Sequence, residues 1–168
     1  MADMLAGRDD TITDVISISG SGTTQLFDFV ALAYTRCFDV STCLTEIDRN
    51  VNEIQANPDS STEFAWGHPY KRWTSFFRID PGEELLRSKA RMYMAFGTAD
   101  DSVPALSAEM SVSRLRLAGK NLTVRRVPNA GHTLSENRRS TFQDLDREYR
   151  TALDWFWHGD SRVQASGQ

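Results

Sequence analysis

Three short apolar runs and four amphipathic stretches punctuate this chain. Val15-Ile16-Ser17-Ile18-Ser19 is compact and β-branched and stops at Gly20-Ser21-Gly22, as a buried strand does. Thr23 or Thr24 caps the helix that follows, whose expected buried face is Leu26, Phe27, Val30, Ala33 and Tyr34. Leu44, Ile47, Val51 and Ile54 recur by threes and fours and predict a second helix over about 43–56, broken by Asn57-Pro58-Asp59. Met92-Tyr93-Met94-Ala95-Phe96 is the next strand, ended by Gly97. Pro104 then opens a helix with Leu106, Met110 and Leu117 on its expected inner face and Gly119 beyond its end. Leu122 to Val127 is a third strand, stopped by Pro128. A final helix over about 140–157 is expected to bury Phe142, Leu145, Tyr149, Leu153 and Phe156.

Strands separated by helices predict an α/β fold, here a short parallel sheet of about three strands with flanking helices. Residues 62–89 fit no simple period. They hold Trp66, Trp73 and Phe77 among other aromatics, a group able to line a pocket for an apolar or aromatic moiety, or else to pack a core edge. The chain reads as a single domain over 1–168: a lead-in over 1–13, a strand with a helical, aromatic cap-like region over 14–89, strand–helix units over 90–158, and a frayed tail over 159–168.

Composition narrows the function classes. The 168 residues are 40% hydrophobic and 25% charged with a net charge of −4, a balance that suggests neither nucleic acid nor membrane as a partner. The basic groups at Arg114, Arg116, Lys120, Arg125 and Arg126, and at Arg138 and Arg139, read as solvated faces. No apolar run is long enough to span a bilayer, and the first residues lack a signal-peptide layout, so a cytoplasmic location is expected. Cys37 and Cys43 match no zinc or redox signature and are expected to be reduced, partly buried thiols. Three scattered histidines, without H-E-x-x-H or paired cysteines, predict no metal site, and no cofactor fingerprint is present.

The chemistry concentrates at two turns. Gly97-Thr98-Ala99-Asp100 follows one strand and Asn129-Ala130-Gly131-His132 the next, so a carboxylate and an imidazole fall on loops beyond the carboxyl ends of successive strands, where parallel sheets place ligand chemistry. Asp101 competes with Asp100 but is expected to point outward. His68 and His158 belong to no constellation.

Those two turns resemble the C-terminal half of the α/β-hydrolase superfamily, in particular its peptidase- and esterase-like members. Gly97, Asp100, Val103 and Pro104 match the family's acid turn and Gly131-His132 its histidine turn, with one helix and one strand between. Gly67-His68-Pro69-Tyr70-Lys71-Arg72-Trp73 with Phe76-Phe77 is similar to the stretch leading into the acid-bearing strand of some members. The resemblance covers about residues 14–158 and implies ester, thioester or amide hydrolysis of a small acyl substrate, with a serine nucleophile, His132 as general base and Asp100 as its orienter.

The G-x-S-x-G nucleophile elbow of that family does not occur in the chain. The resemblance therefore implies that the earlier strands, the nucleophile and part of the oxyanion hole are missing, leaving the isolated chain incomplete or inactive. Ser21 is the candidate nucleophile, with Ser19 beside it, although neither has glycine two positions before and after. The alternative is a non-catalytic binding or assembly module. An open sheet edge along Val15 to Ser19 would then be covered in a homodimer or by a partner chain.

Overall fold

The structure, a computed structural model, describes residues 2–135 and 142–159, with the backbone alone for 142–145. In chain order its elements are α1 (Ala2–Ala6), β1 (Asp14–Ile18), α2 (Gln25–Arg36), α3 (Val40–Ala56), β2 (Phe64–Ala65), β3 (His68–Pro69), α4 (Tyr70–Phe77), α5 (Pro81–Arg87), β4 (Arg91–Gly97), α6 (Ala105–Leu117), β5 (Leu122–Val127) and α7 (Phe142–His158). They group into two compact units, Met1–Gly22 with Pro81–Gln168, and Thr23–Asp80.

The first unit is built on a three-stranded sheet in the order β1-β4-β5, parallel throughout, with Ile16 beside Tyr93 and Met94 beside Val124. Every residue of β4 after Arg91 is buried, the continuous apolar run expected of a strand covered on both faces. Val15, Met92, Met94 and Phe96 face one way and pack with Leu85, Ala108, Val112 and Leu115. Tyr93, Ala95 and Val127 face the other way and pack with Ala152 and Trp155. Trp155 of α7 is held at two points and its neighbour at a third. Its Nε1 donates to Thr123 Oγ1 at 2.9 Å, the Arg91 guanidinium lies 4.3 Å from its ring centroid, and Arg91 also donates to the neighbouring Phe156 carbonyl.

Two helices turn a different face inward from the one their apolar residues suggest. On α6 the buried stripe is Ser107, Ala108, Ser111, Val112 and Leu115, while Leu106, Met110 and Leu117 are exposed. Close approach is the cause: a Cβ on Gly22 would stand 2.3 Å from the Ser107 carbonyl oxygen, so only small residues fit along that contact. On α7 the inner face is Glu148, Ala152 and Trp155, and Tyr149, Leu153 and Phe156 are exposed. Glu148 is fully buried because Arg125 of β5 and Arg147 both pair with it. Phe142 and Leu145 lie outside the residues whose side chains are described.

The second unit holds α2, α3, α4 and the β2–β3 hairpin. Thr24 caps α2, its Oγ1 accepting from Phe27 N at 3.3 Å, and Asp39 caps α3. The expected inner face of α2 is only partly right: Ala33 is buried, but so are Asp28 and Ala31, and Tyr34 is exposed. The aromatic stretch forms this unit's core, with Trp73, Tyr70 and Ile54 buried and Phe29, Trp66 and Phe77 packed on them. Cys37 and Cys43 are joined in a disulfide, not held as free thiols. Cys37 is the C-cap of α2 and Cys43 lies in the first turn of α3, and the tight turn between them brings their Cα atoms to 6.5 Å, within bridging range. Among the described residues, no helix is long and apolar enough to cross a membrane.

Candidate active site

The site lies wholly in the first unit, on the loops that leave β4 and β5. These loops are sewn together by backbone hydrogen bonds: Thr98 N donates to Val127 O at 3.0 Å and Ala99 N to Ala130 O at 2.9 Å. Thr98 Oγ1 adds a third link, accepting from Asn129 N at 2.9 Å. Gly97 makes the approach possible, since a Cβ there would stand 2.2 Å from Ala130 O and 2.5 Å from Gly131 O. Its φ is ordinary, so the requirement is space rather than backbone conformation.

Asp100 sits inside this junction. Its side chain is 1% exposed, against 47% for His132. Oδ1 accepts from the backbone amides of Ser102 at 2.8 Å and Val103 at 2.9 Å, a local turn that fixes the carboxylate. Oδ2 lies 3.0 Å from His132 Nδ1. Asp101 is exposed, as expected.

The His132 loop is equally constrained. Asn129 and Leu134 both adopt left-handed backbone, at φ +56° and +57°, and Leu134 is fully buried beneath the loop. Gly131 N donates to Ser135 O and Leu134 N to Gly131 O, closing a compact turn around the histidine. With Nδ1 engaged by Asp100, the arrangement presents Nε2 outward, where it has no hydrogen bond among the described residues. An imidazole so oriented can take a proton from a hydroxyl or a water.

The serines make contacts of their own. Ser21 Oγ is 3.2 Å from Ser107 Oγ on α6, and Gly22 N donates to the same Ser107 hydroxyl. Ser19 ends β1 in left-handed backbone at φ +51°, buried, with no hydrogen-bond partner for its Oγ. Neither serine is hydrogen-bonded to His132. Trp66, Trp73 and Phe77 all fall in the second unit, where Trp73 is core, Trp66 lines one pocket and Phe77 another. His68 Nδ1 lies 3.2 Å from Arg72 on the surface of that unit.

Thr98 and Leu134 position the site without having been singled out from the sequence. Thr98 left a faint signal as a hydroxyl directly after Gly97. Leu134 left none, because a leucine in left-handed backbone is legible only in the fold.

A parallel sheet with helical crossovers, bearing a carboxylate–imidazole pair on the loops beyond two adjacent strands, defines an α/β-hydrolase-like protein. The chain belongs to the prolyl oligopeptidase family, whose model matches residues 17–159. Among solved structures it is similar to a Klebsiella pneumoniae protein assigned as a dienelactone hydrolase, at 12% identity and a TM-score of 0.51 over 94% of this chain. It is also similar to a meta-cleavage product hydrolase from Pseudomonas fluorescens, at 18% identity and a TM-score of 0.49 over 95% of this chain. The chain spans 47% of the first of these proteins and 61% of the second. No curated protein matches it.

Proposed function

We propose that this chain supplies the acid–base half of an acyl-transfer site that cleaves ester, thioester or amide bonds of a small-molecule acyl substrate. His132 takes the proton of the attacking hydroxyl through Nε2 and returns it to the leaving group. Asp100 holds the ring in the Nδ1–H tautomer and stabilises the imidazolium as it forms. The single observation behind this reading is the 3.0 Å contact between a carboxylate fixed by two backbone amides and a half-exposed imidazole.

Ser21 is the candidate nucleophile, with Ser19 the strained alternative at a strand end. Neither hydrogen-bonds to His132, so the reading requires one of them to come within reach of Nε2 or a serine from another polypeptide to take the role. Without a placed nucleophile and oxyanion donors the isolated chain is a weak hydrolase. Trp66, Trp73 and Phe77, all in the second unit, are proposed to hold an apolar or aromatic group within that unit.

The test is hydrolysis of p-nitrophenyl acetate by the purified chain. Slow turnover that falls to the buffer rate in His132→Ala supports the proposal. Turnover unchanged in His132→Ala defeats it.

A second reading has its own observation. Among the described residues β1 hydrogen-bonds to one neighbour only, β4, and Tyr149, Leu153, Phe156 and Trp157 form an exposed apolar stripe on α7. An open strand edge and an uncovered apolar helix face suit a homodimer or a partner chain. Sedimentation giving a monomer at micromolar concentration removes the homodimer. The Cys37–Cys43 bond runs against the cytoplasmic location expected from the sequence, because thiols there are kept reduced.

A further inference from the structure

The second unit contains a pocket of about 290 Å³, near the lower end of ligand-binding cavities. Phe29, Leu32, Ala33, Ile47 and Trp66 give it mostly apolar walls, the bridged Cys37 and Cys43 also line it, and Arg36 and Glu46 complete the lining. Two features indicate a built site. Trp66 and Gly67 form the two-residue loop of the β2–β3 hairpin with φ +46° and +77°, a turn whose first position ordinarily takes asparagine, aspartate or glycine. A bulky side chain there is strained, and such strain persists where surrounding structure over-determines it. The surroundings here are aromatic: the Trp66 ring centroid is 4.6 Å from Phe29 and 5.5 Å from Trp73. The indole is thus held at the pocket wall in advance of any ligand. The second feature is the disulfide, which ties the end of α2 to the start of α3, the two helices that form most of the pocket.

We infer that this pocket binds a compact apolar ligand carrying an aromatic ring, and that binding requires the Cys37–Cys43 bond. Ring faces on Phe29 and Trp66 suit an aromatic guest stacked or edge-on, and the volume admits little beyond a ring system with a short substituent. A dithiol reductant supplies two electrons and two protons: the S–S bond breaks, Cys37 and Cys43 become thiols, and the reductant closes to its own disulfide. The joint between α2 and α3 is then released and the preformed wall is lost. The inference shares Trp66 with the aromatic group-binding role proposed above, but its readout is binding rather than turnover, so the failure of one is distinguishable from the failure of the other.

1-Aminonaphthalene, a single ring system with a short substituent whose emission shifts to the blue in apolar surroundings, is titrated into the oxidised full chain. Saturable binding is expected, weakened at least tenfold in Leu32→Glu and at least tenfold by dithiothreitol or in the Cys37→Ser/Cys43→Ser variant. Leu32→Trp, which fills the pocket without adding charge, is expected to abolish binding while circular dichroism stays unchanged, so the result is readable even if the glutamate variant unfolds. Failure to bind, or equal binding by the folded Leu32→Trp protein, overturns the site. Binding that persists unchanged after reduction overturns the role of the disulfide.

Discussion

Asp100 divides its carboxylate between two tasks, one oxygen accepting from the amides of Ser102 and Val103 and the other facing Nδ1 of His132. The first task immobilises the group that performs the second. In Asp100→Asn the side chain keeps its volume but presents an amide of uncertain sense to the ring, and the tautomer is no longer imposed. The His132-dependent part of ester hydrolysis is expected to fall by about 10²-fold or more. Imidazole ¹⁵N shifts are expected to move toward a mixture of tautomers. A variant with unchanged shifts would show that Asp100 does not orient the ring.

Gly97 is predicted to be intolerant of any side chain. In Gly97→Ala the new methyl meets two carbonyl oxygens of the His132 loop, so the loop must withdraw from β4 and take the histidine with it. The expected cost is about 1–3 kcal/mol of stability, read by urea denaturation. His132-dependent hydrolysis is expected to be lost even at temperatures where the variant stays folded. Full activity would mean that the junction of the two loops is not what places the pair.

Glu148 joins α7 to the sheet through a buried charge. Burial acts to raise its pKa, but the hydrogen bonds and charges of Arg125 and Arg147 outweigh it and hold the carboxyl below its ordinary 4.5. With the folded value depressed, this stabilisation is present above about pH 4.5 and is lost as the pH falls through the lower folded value. Glu148→Ala strands Arg125 and is expected to cost about 3 kcal/mol, roughly 6–12 °C in Tm near neutral pH. Glu148→Gln is expected to flatten the acid limb of the stability curve relative to wild type. An acid limb that is the same in both proteins would show that Glu148 does not carry it.

Reduction of Cys37–Cys43 releases a short loop, for which the chain-entropy account gives about 2 kcal/mol. Hydrogen exchange under reducing conditions is expected to accelerate in α2 and α3 and to leave β4 and β5 unchanged. Equal acceleration throughout would mean that the two units unfold together.

The sheet was legible because its strands are short apolar runs bounded by Gly and Pro, and the Asp100–His132 pair because both residues follow such runs directly. What stayed hidden was set by partners distant in sequence. Ser107 and Ser111 are buried, and Leu106 and Met110 are not, because the Gly22 backbone comes within contact of α6. Glu148 is an inner residue because an arginine on β5 receives it. An amphipathic count sees neither relationship, since it weighs each residue by its own polarity. The aromatic stretch over 62–89 resisted reading for a related reason. Its helices are short, and the positive φ of Trp66 is maintained by rings from α2 and α4 rather than by local propensity.

The central claim, that His132 is a working base oriented by Asp100, is tested most directly by treating the full chain with a fluorophosphonate and weighing it intact. The account predicts one serine adduct that forms slowly in the wild-type chain and is absent in His132→Ala, with peptide mapping to decide between Ser21 and Ser19. An adduct that forms at the same rate in His132→Ala would contradict it.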